Sequence, residues 1–288
     1  MASPEMIRAR GDGIELQLAV WKGAGRAIFC VHGLTANCRS WDIMAASLAP
    51  HSTVVALDLR GRGLSEKPAG GYNVAQHCRD IEAVIASLGL ERPILMGHSL
   101  GALIALVFAA QRPEQTAGLI LVDGGGCLTD AQMEKALVGI KPALERLGVV
   151  FPSFEAYTAQ LKQAPFLQPW TEAIEAYFRY EIEAVAGGVR SCVQPDHIRE
   201  EICNLHTVNP ADYYPRIRCP VLILRATDGT LSPGDRLLPD SALQRMLKEI
   251  PEAYCVPVEG TNHYSILLQP SPTRDDAVHA FLADRKRS

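Results

Sequence analysis

The chain has 288 residues, a formal net charge of −4, 48% hydrophobic residues and 21% charged residues. This length suits one large α/β domain with an inserted segment, and the composition is typical of a globular chain rather than a disordered one. The weakly acidic balance excludes a broadly basic surface, so we expect no nucleic-acid partner and no anionic membrane partner.

Three further absences indicate where the protein works. No apolar stretch approaches the roughly 20 residues of a membrane-spanning helix. Residues 1–5 lack the basic segment and apolar core of a secretory signal. The eight cysteines are scattered without a C-x-x-C pair, which argues against a metal site or a disulfide framework. We therefore expect a reduced, cytoplasmic setting.

The first elements predict the edge of a sheet. Residues 7–31 contain turn glycines and an alternating apolar pattern that is typical of a half-buried antiparallel strand, at Ile14, Leu16, Leu18 and Val20. The continuous apolar run 27–31 predicts a buried parallel strand that ends at His32. Residues 40–49 predict a helix with Ser40 as its N-cap.

Strands and helices then alternate. Residues 53–57 predict a buried strand that ends in a polar turn over 58–65, and residues 73–88 predict a helix. In that turn we expect the polar side chains to hold the loop by hydrogen bonds, at Asp58, Arg60 and Arg62. The alternation predicts a parallel sheet with ligands bound beyond the carboxyl ends of its strands.

The sequence G-H-S-L-G at 97–101 follows the apolar run 94–96 and precedes a helical pattern over 102–110. A strand, a sharp turn and a helix are the context in which G-x-S-x-G forms a nucleophile elbow. Ser99 then sits at a strained turn with its hydroxyl exposed. Glycines two residues before and after it let the strand and helix approach closely.

After a strand at 118–122 the alternation stops. Residues 127–210 hold helical patterns, aromatic residues and prolines but no run typical of a buried strand, so we predict a helical lid. The sheet resumes with strands at 220–224 and 253–258, and a helix over 272–284 ends the chain. This divides the chain into a core of residues 1–126 and 211–288 and a lid of residues 127–210.

Polar residues with catalytic chemistry come directly after the predicted strands, at His32, Ser99, Asp123, Asp228 and His263. Together with the H-G pair at 32–33, the turn 58–65 and the G-T-N-H run at 260–263, the elbow makes the chain resemble the α/β-hydrolase fold superfamily over nearly its whole length. The resemblance implies a mostly parallel eight-stranded sheet flanked by helices with an inserted helical cap. Within that superfamily it resembles carboxylesterase- and lactonase-like serine hydrolases with a helical lid.

The resemblance also implies roles. Ser99 would be the nucleophile and His263 the base that accepts its proton. The backbone N–H groups of Leu34 and Leu100 would form the oxyanion hole. His32 is expected to shape its loop rather than to transfer protons.

Two residues compete for the role of the acid that orients His263. Asp123 follows the strand after the elbow helix, 24 residues beyond Ser99, as in haloalkane dehalogenases and zearalenone-type lactonases. Asp228 follows the next strand, but one residue earlier than the common family spacing. We favour Asp123 and keep Asp228 as the alternative.

These residues predict a serine hydrolase that cleaves a carboxylic ester or lactone through an acyl-enzyme. A C–C bond hydrolase uses the same triad and stays open, and a ligand-binding receptor on a hydrolase scaffold is the alternative from another class. No phosphate loop, metal spacing or nicotinamide fingerprint is present, so no cofactor is expected. The expected partner is a small-molecule ester or lactone, and the oligomeric state is left open.

Overall fold

The computed structural model describes residues 3–231 and 235–284. Ten strands are present in this part of the chain: β1 (Glu5–Arg10), β2 (Glu15–Trp21), β3 (Ile28–Val31), β4 (Val54–Leu57), β5 (Ile94–His98), β6 (Gly118–Val122), β7 (Ile182–Val185), β8 (Gly188–Ser191), β9 (Val221–Ala226) and β10 (Ala253–Val258). The α-helices in the same residues are α1 (Asp42–Leu48), α2 (Val74–Ser87), α3 (Leu100–Gln111), α4 (Asp130–Gly139), α5 (Lys141–Glu145), α6 (Phe154–Thr158), α7 (Glu172–Glu181), α8 (Pro195–Leu205), α9 (Asp240–Glu249), α10 (Ser265–Leu268) and α11 (Pro272–Asp284).

Eight of these strands form one sheet in the order β1-β2-β4-β3-β5-β6-β9-β10. The pairs β1–β2 and β2–β4 are antiparallel, and every later pair is parallel. The predicted fold class, a mostly parallel eight-stranded α/β sheet, is therefore confirmed. The parallel strands end at one edge of the sheet, where open α/β sheets bind ligands.

Each face of the sheet is covered by helices. Alternate residues of a central strand enter opposite cores, as in β3, where Phe29 and Val31 join one apolar cluster and Ile28 and Cys30 join the other. The first cluster contains residues of α2, α3 and α9, and the second contains residues of α1 and α11. Burial on both faces explains the continuous apolar runs of the parallel strands.

Two local predictions were wrong. The alternation in β2 indicates a half-buried strand, but all its residues after Glu15 are buried, because both faces are covered and the amide of Gln17 donates to the carbonyls of Ile7 and Leu18. Ser40 does not cap a helix over 40–49. A 3₁₀ turn at Cys38–Trp41 precedes α1, and it is Asn37 whose side chain accepts from the N–H of Arg39.

Between β6 and β9 the chain leaves the sheet and forms α4 to α8 with a two-stranded hairpin, β7–β8. The hairpin was not predicted, because its four-residue strands are mostly half-buried and carry no apolar run. Residues of α6 and α7 pack into the second apolar cluster. No helix in the described residues is long and apolar enough to cross a membrane.

Candidate active site

Ser99 lies between β5 and α3 with a backbone φ of 56°, a left-handed conformation that is unusual for a residue with a side chain. Two glycines make this turn sterically possible. A Cβ at Gly97 would lie 2.1 Å from the carbonyl oxygen of Gly101, and one at Gly101 would lie 2.0 Å from the carbonyl oxygen of Val31. The local backbone thus has the strained strand–turn–helix geometry of a nucleophile elbow.

His263 follows β10, and its Nδ1 lies 2.7 Å from Oδ2 of Asp123, which follows β6. Both side chains are buried, with 4% and 2% of their surface accessible. The other carboxylate oxygen, Oδ1, accepts from the N–H of Ala226 at 3.2 Å. A carboxylate held in this way keeps the proton of the imidazole on Nδ1 and leaves Nε2 as an acceptor.

Asp228 does not contact His263. Its side chain is exposed, and its Oδ1 accepts a 3.2 Å hydrogen bond from the hydroxyl of Thr227. Its N–H donates to the carbonyl of Thr261, so it helps to shape the loop beside His263. Of the two candidate acids, the structure brings only Asp123 to the histidine.

His98, the residue before the nucleophile, supports His263 from the side. Its Nε2 lies 2.9 Å from the carbonyl oxygen of His263, and the two rings are 4.5 Å apart. Since a carbonyl only accepts, Nε2 carries the proton. Burial, followed by the neighbouring His263, lowers the pKa of His98 well below the ordinary histidine value. His98 is therefore a neutral donor that anchors the backbone of His263.

The loop after β3 carries the predicted oxyanion donor Leu34. His32 has its Nδ1 2.7 Å from the carbonyl of Gly33, and its Nε2 accepts from the N–H of Leu59 at 3.0 Å. Both ring nitrogens are occupied and burial lowers the pKa of His32 to about 3, so this neutral side chain shapes the loop. Arg62 donates to the carbonyl of Leu34 at 3.0 Å.

The N–H groups of Leu34 and Leu100 have no protein acceptor within the described ranges. Leu100 is the first residue of α3, so its N–H has no partner inside the helix and lies at the positive end of the helix dipole. Leu34 and Ser99 both line the same cavities. These two donors are thus available to an oxygen bound beside Ser99.

The polar turn over residues 58–65 is held by hydrogen bonds, as predicted. The buried Asp58 accepts from the backbone N–H groups of Cys38 and Leu64 and from the hydroxyl of Tyr180. Arg60 pairs with Asp80, with its Nε 2.7 Å from Oδ2. Tyr180 belongs to α7, so one of these bonds joins the turn to the segment between β6 and β9.

Two cavities meet at Ser99, Leu34 and Ile140. The larger, of about 350 Å³, lies beyond Asp123 and the glycines at 124–126 and is lined mainly by aliphatic side chains, including Leu103, Met133, Leu137, Ile202 and Leu205. The smaller, of about 70 Å³, is lined by His98 and His263 and by residues of the 127–210 segment, among them Arg146, Leu161, Phe166 and Phe178. A volume of a few hundred Å³ with few polar groups is typical of a small-molecule site.

The structure brings two further side chains to this site, of which sequence reasoning missed Arg146. Tyr214 is fully buried and fixes the loop after Asp123, because its hydroxyl donates to the carbonyl of Gly125 and accepts from the N–H of Cys127. Arg146 enters the small cavity from the segment after α5. No local motif marks either residue, since both act through contacts with distant parts of the chain.

No group of three or more His, Cys, Asp or Glu side chains able to hold a metal ion occurs in residues 3–231 and 235–284. No disulfide joins any of the eight cysteines, all of which lie in the described residues. The polar side chains that converge at the elbow are a serine, two histidines and an aspartate.

A family model described as alpha/beta hydrolase fold matches residues 26–270. The chain belongs to this family. A 2-(acetamidomethylene)succinate hydrolase of Mesorhizobium japonicum is 28% identical over 276 residues, covering 95% of this chain and 94% of that protein. An uncharacterized protein of Mycobacterium tuberculosis is 37% identical over 138 residues, which are 46% of this chain and only 40% of that protein.

Among solved structures, E-2-(acetamidomethylene)succinate hydrolase matches with a TM-score of 0.81 at 24% identity, covering 97% of this chain and 100% of that one. This likeness shows the shared fold. The relative from Mesorhizobium japonicum is itself named as a hydrolase.

Proposed function

We propose that the protein is a serine hydrolase that cleaves a carboxylic ester or lactone through an acyl-enzyme. The observation that carries the proposal is the 2.7 Å contact between His263 and Asp123 beside a Ser99 held at a strained elbow. Ser99 Oγ attacks the substrate carbonyl while His263 Nε2 accepts its proton. Asp123 keeps His263 in the required tautomer and stabilises the imidazolium as it forms.

The carbonyl oxygen becomes negatively charged during this attack. The N–H groups of Leu34 and Leu100 stabilise it, and each such donor typically contributes about 3 kcal/mol in the transition state. His263 then protonates the leaving group and activates a water that releases the acyl group. The neutral His98 adds no positive charge beside the imidazolium, so it does not oppose this step.

Residues 127–210 would act as a lid. They line both cavities beside Ser99 with largely apolar side chains, which favours a substrate with a hydrophobic portion. Tyr180 and Glu201 tie this segment to the core by hydrogen bonds to Asp58 and Arg62. The division into a core and a lid at these boundaries belongs to the proposal.

Hydrolysis of an amide is the second candidate. The relative from Mesorhizobium japonicum, which matches along 95% of this chain, is named for a substrate with an acetamido group. The same triad serves both reactions, because the nucleophile, the base and the oxyanion donors are unchanged.

A substrate panel tests the proposal. It would contain 4-nitrophenyl acetate, butyrate and octanoate, an aliphatic and a macrocyclic lactone, and 4-nitroacetanilide as the amide. We expect repeated turnover of at least one ester or lactone by the wild type and none by Ser99→Ala. Turnover of the anilide alone would favour the amide candidate. Release of a single equivalent, or full activity of Ser99→Ala, would contradict the mechanism.

A further inference from the structure

The small cavity beside Ser99 contains one permanently charged side chain. Within the described chain, Arg146 is the only Lys, Arg, Asp or Glu that lines it, and its other walls are aliphatic, aromatic, neutral polar or backbone groups. An arginine next to a reaction centre needs a partner for its charge, because an unpaired buried charge is costly.

Glu181 provides that partner along one edge of the guanidinium. Its Oε1 accepts from Nη2 of Arg146 at 2.8 Å and from Nε at 3.0 Å, and Nε also contacts the hydroxyl of Tyr157 at 2.9 Å. The Glu181 side chain is 1% accessible, whereas 10% of the Arg146 side chain is accessible. The orientation of the guanidinium is therefore set by the protein.

The remaining nitrogen, Nη1, makes no hydrogen bond within residues 3–231 and 235–284. It is also not one of the fully buried polar atoms that lack a partner, so part of its surface is accessible. Two N–H donors of a fixed arginine thus have no partner among the described residues, and this arginine lines the cavity that also contains Ser99. A planar guanidinium with a free donor edge matches a carboxylate in both charge and geometry.

The size and charge of the two cavities orient such a ligand. The small cavity, at about 70 Å³, is several times larger than the roughly 10–15 Å³ that one water needs, so it has room for a carboxylate group. The larger cavity contains the carboxylates of Asp123 and Asp130 and no lysine or arginine among its described lining residues, so it disfavours an anion. Its aliphatic walls suit an apolar group instead.

We infer that the substrate carries a carboxylate in addition to its scissile carbonyl group. Arg146 Nη1 binds this carboxylate on the small-cavity side, and the apolar portion of the substrate occupies the larger cavity. Glu181 stays bonded to Nε and Nη2 of the guanidinium and holds its orientation. The inference rests on the proposed hydrolytic function of the same site, and it makes Arg146 a specificity-determining residue.

The test compares matched pairs of esters. Mono-4-nitrophenyl glutarate and 4-nitrophenyl pentanoate differ by a carboxylate in place of a methyl group, and succinate and adipate monoesters vary its distance from the carbonyl. Similarly, 4-acetoxybenzoate and phenyl acetate place the difference in the alcohol part. We expect at least one acid to exceed its neutral partner in kcat/KM by on the order of 10- to 100-fold, the range of a charge-assisted hydrogen bond.

Substitution tests whether Arg146 causes the preference for the acid ester. The double variant Arg146→Gln/Glu181→Gln removes both charges together, so that no buried carboxylate is left without its partner. It should lose the preference for the acid, measured as the ratio of kcat/KM for the acid to kcat/KM for its neutral partner. Arg190→Gln is the matched control, because Arg190 forms a half-exposed pair with Glu183 in the same segment. This control should keep the preference.

Equal kcat/KM for every acid and its neutral partner, or an unchanged preference in the double variant, would overturn the inference while leaving the hydrolase proposal intact. If no ester is hydrolysed, the proposed function fails and binding decides the inference. Calorimetry with Ser99→Ala should then show that monomethyl glutarate binds more tightly than methyl pentanoate, and that adding the double substitution abolishes the difference. Equal binding would overturn it.

Discussion

Asp123 and Asp228 each follow a strand of the sheet, but their surroundings differ. Asp123 is 2% accessible and contacts His263, whereas Asp228 is exposed and bonds to Thr227. We expect Asp123→Asn to lower kcat by about 10⁴-fold, because an amide favours the wrong tautomer of the histidine. Asp228→Asn should change kcat little. Steady-state kinetics of both variants, with circular dichroism to confirm folding, would check this.

The opposite kinetic result would identify the other aspartate as the acid. If Asp228→Asn loses several orders of magnitude in kcat and Asp123→Asn is mild, the acid is Asp228 and the contact in this structure is not the functional one. Exchange of the acid in this way would leave Ser99 and His263 in their roles.

The close packing at the elbow glycines predicts a loss of stability when one of them is substituted. Gly101→Ala would place a Cβ 2.0 Å from the carbonyl oxygen of Val31, where only backbone movement relieves the clash. We expect a loss of about 1–3 kcal/mol or more in the free energy of unfolding, with loss of activity. Gly70→Ala is the control, since its Cβ would lie 3.7 Å from Glu200. Equal stability of both variants in urea would contradict the close approach.

The sequence predicts the nucleophile and the base of the site, but not every other residue that acts there. The elbow motif and the position after a strand indicate Ser99 and His263, because both signals are local. Spacing alone could not decide between Asp123 and Asp228, since a shift of one residue in a loop changes which carboxylate reaches the histidine. Arg146 carries no local signal, because its contacts depend on how the segment between β6 and β9 packs.

Helix α8 is joined to the core by a buried charged cluster. Glu201 Oε2 accepts from Nη2 of Arg62 at 3.0 Å and from Nε2 of His77 at 2.7 Å, and all three side chains are inaccessible. Burial raises the pKa of Glu201, but His77 and Arg62 outweigh it and lower the pKa to about 2. Since Arg62 also donates to the carbonyl of Leu34, the cluster links this helix to the oxyanion loop.

Removing the charge of Glu201 should therefore destabilise the fold. We expect Glu201→Gln to cost about 3–5 kcal/mol in the free energy of unfolding, because Arg62 is left buried without a counter-charge. Asp196→Asn serves as the control on the same helix, since Asp196 pairs with Arg199 at an exposed position. Urea unfolding measures both, and an equally small change in the two variants would refute the role of the buried cluster.

Strands could be predicted from the sequence where burial produces a regular pattern of apolar residues. The parallel strands are covered on both faces, so their apolar runs identify them. The hairpin β7–β8 has short, mostly half-buried strands without such a run, and β2 is buried although its sequence alternates, because Gln17 satisfies its amide internally. In both cases tertiary contacts determine the outcome.

For the whole molecule, the buried neutral histidines predict acid sensitivity. Burial lowers the pKa of His32 to about 3 and that of His98 well below 6.5. Below pH 6.5 the unfolded chain binds protons that the folded chain does not, so stability falls as the pH decreases towards the folded-state values. Each histidine should contribute a slope of up to about 1.4 kcal/mol per pH unit.

Urea unfolding between about pH 7 and about pH 5 measures this slope. His98→Gln should reduce it relative to the wild type. An unchanged slope in this variant would show that His98 takes up a proton in the folded state.

The acyl-enzyme mechanism is tested most directly by locating the residue that carries the acyl group. The wild type would be mixed with a 4-nitrophenyl ester that it turns over, quenched in acid within the first turnovers, digested and analysed by mass spectrometry. We expect the peptide that contains Ser99 to be heavier by the mass of the acyl group. The corresponding peptide from Ser99→Ala should be unmodified. Turnover with Ser99 unmodified, or with the acyl group on another residue, would contradict it.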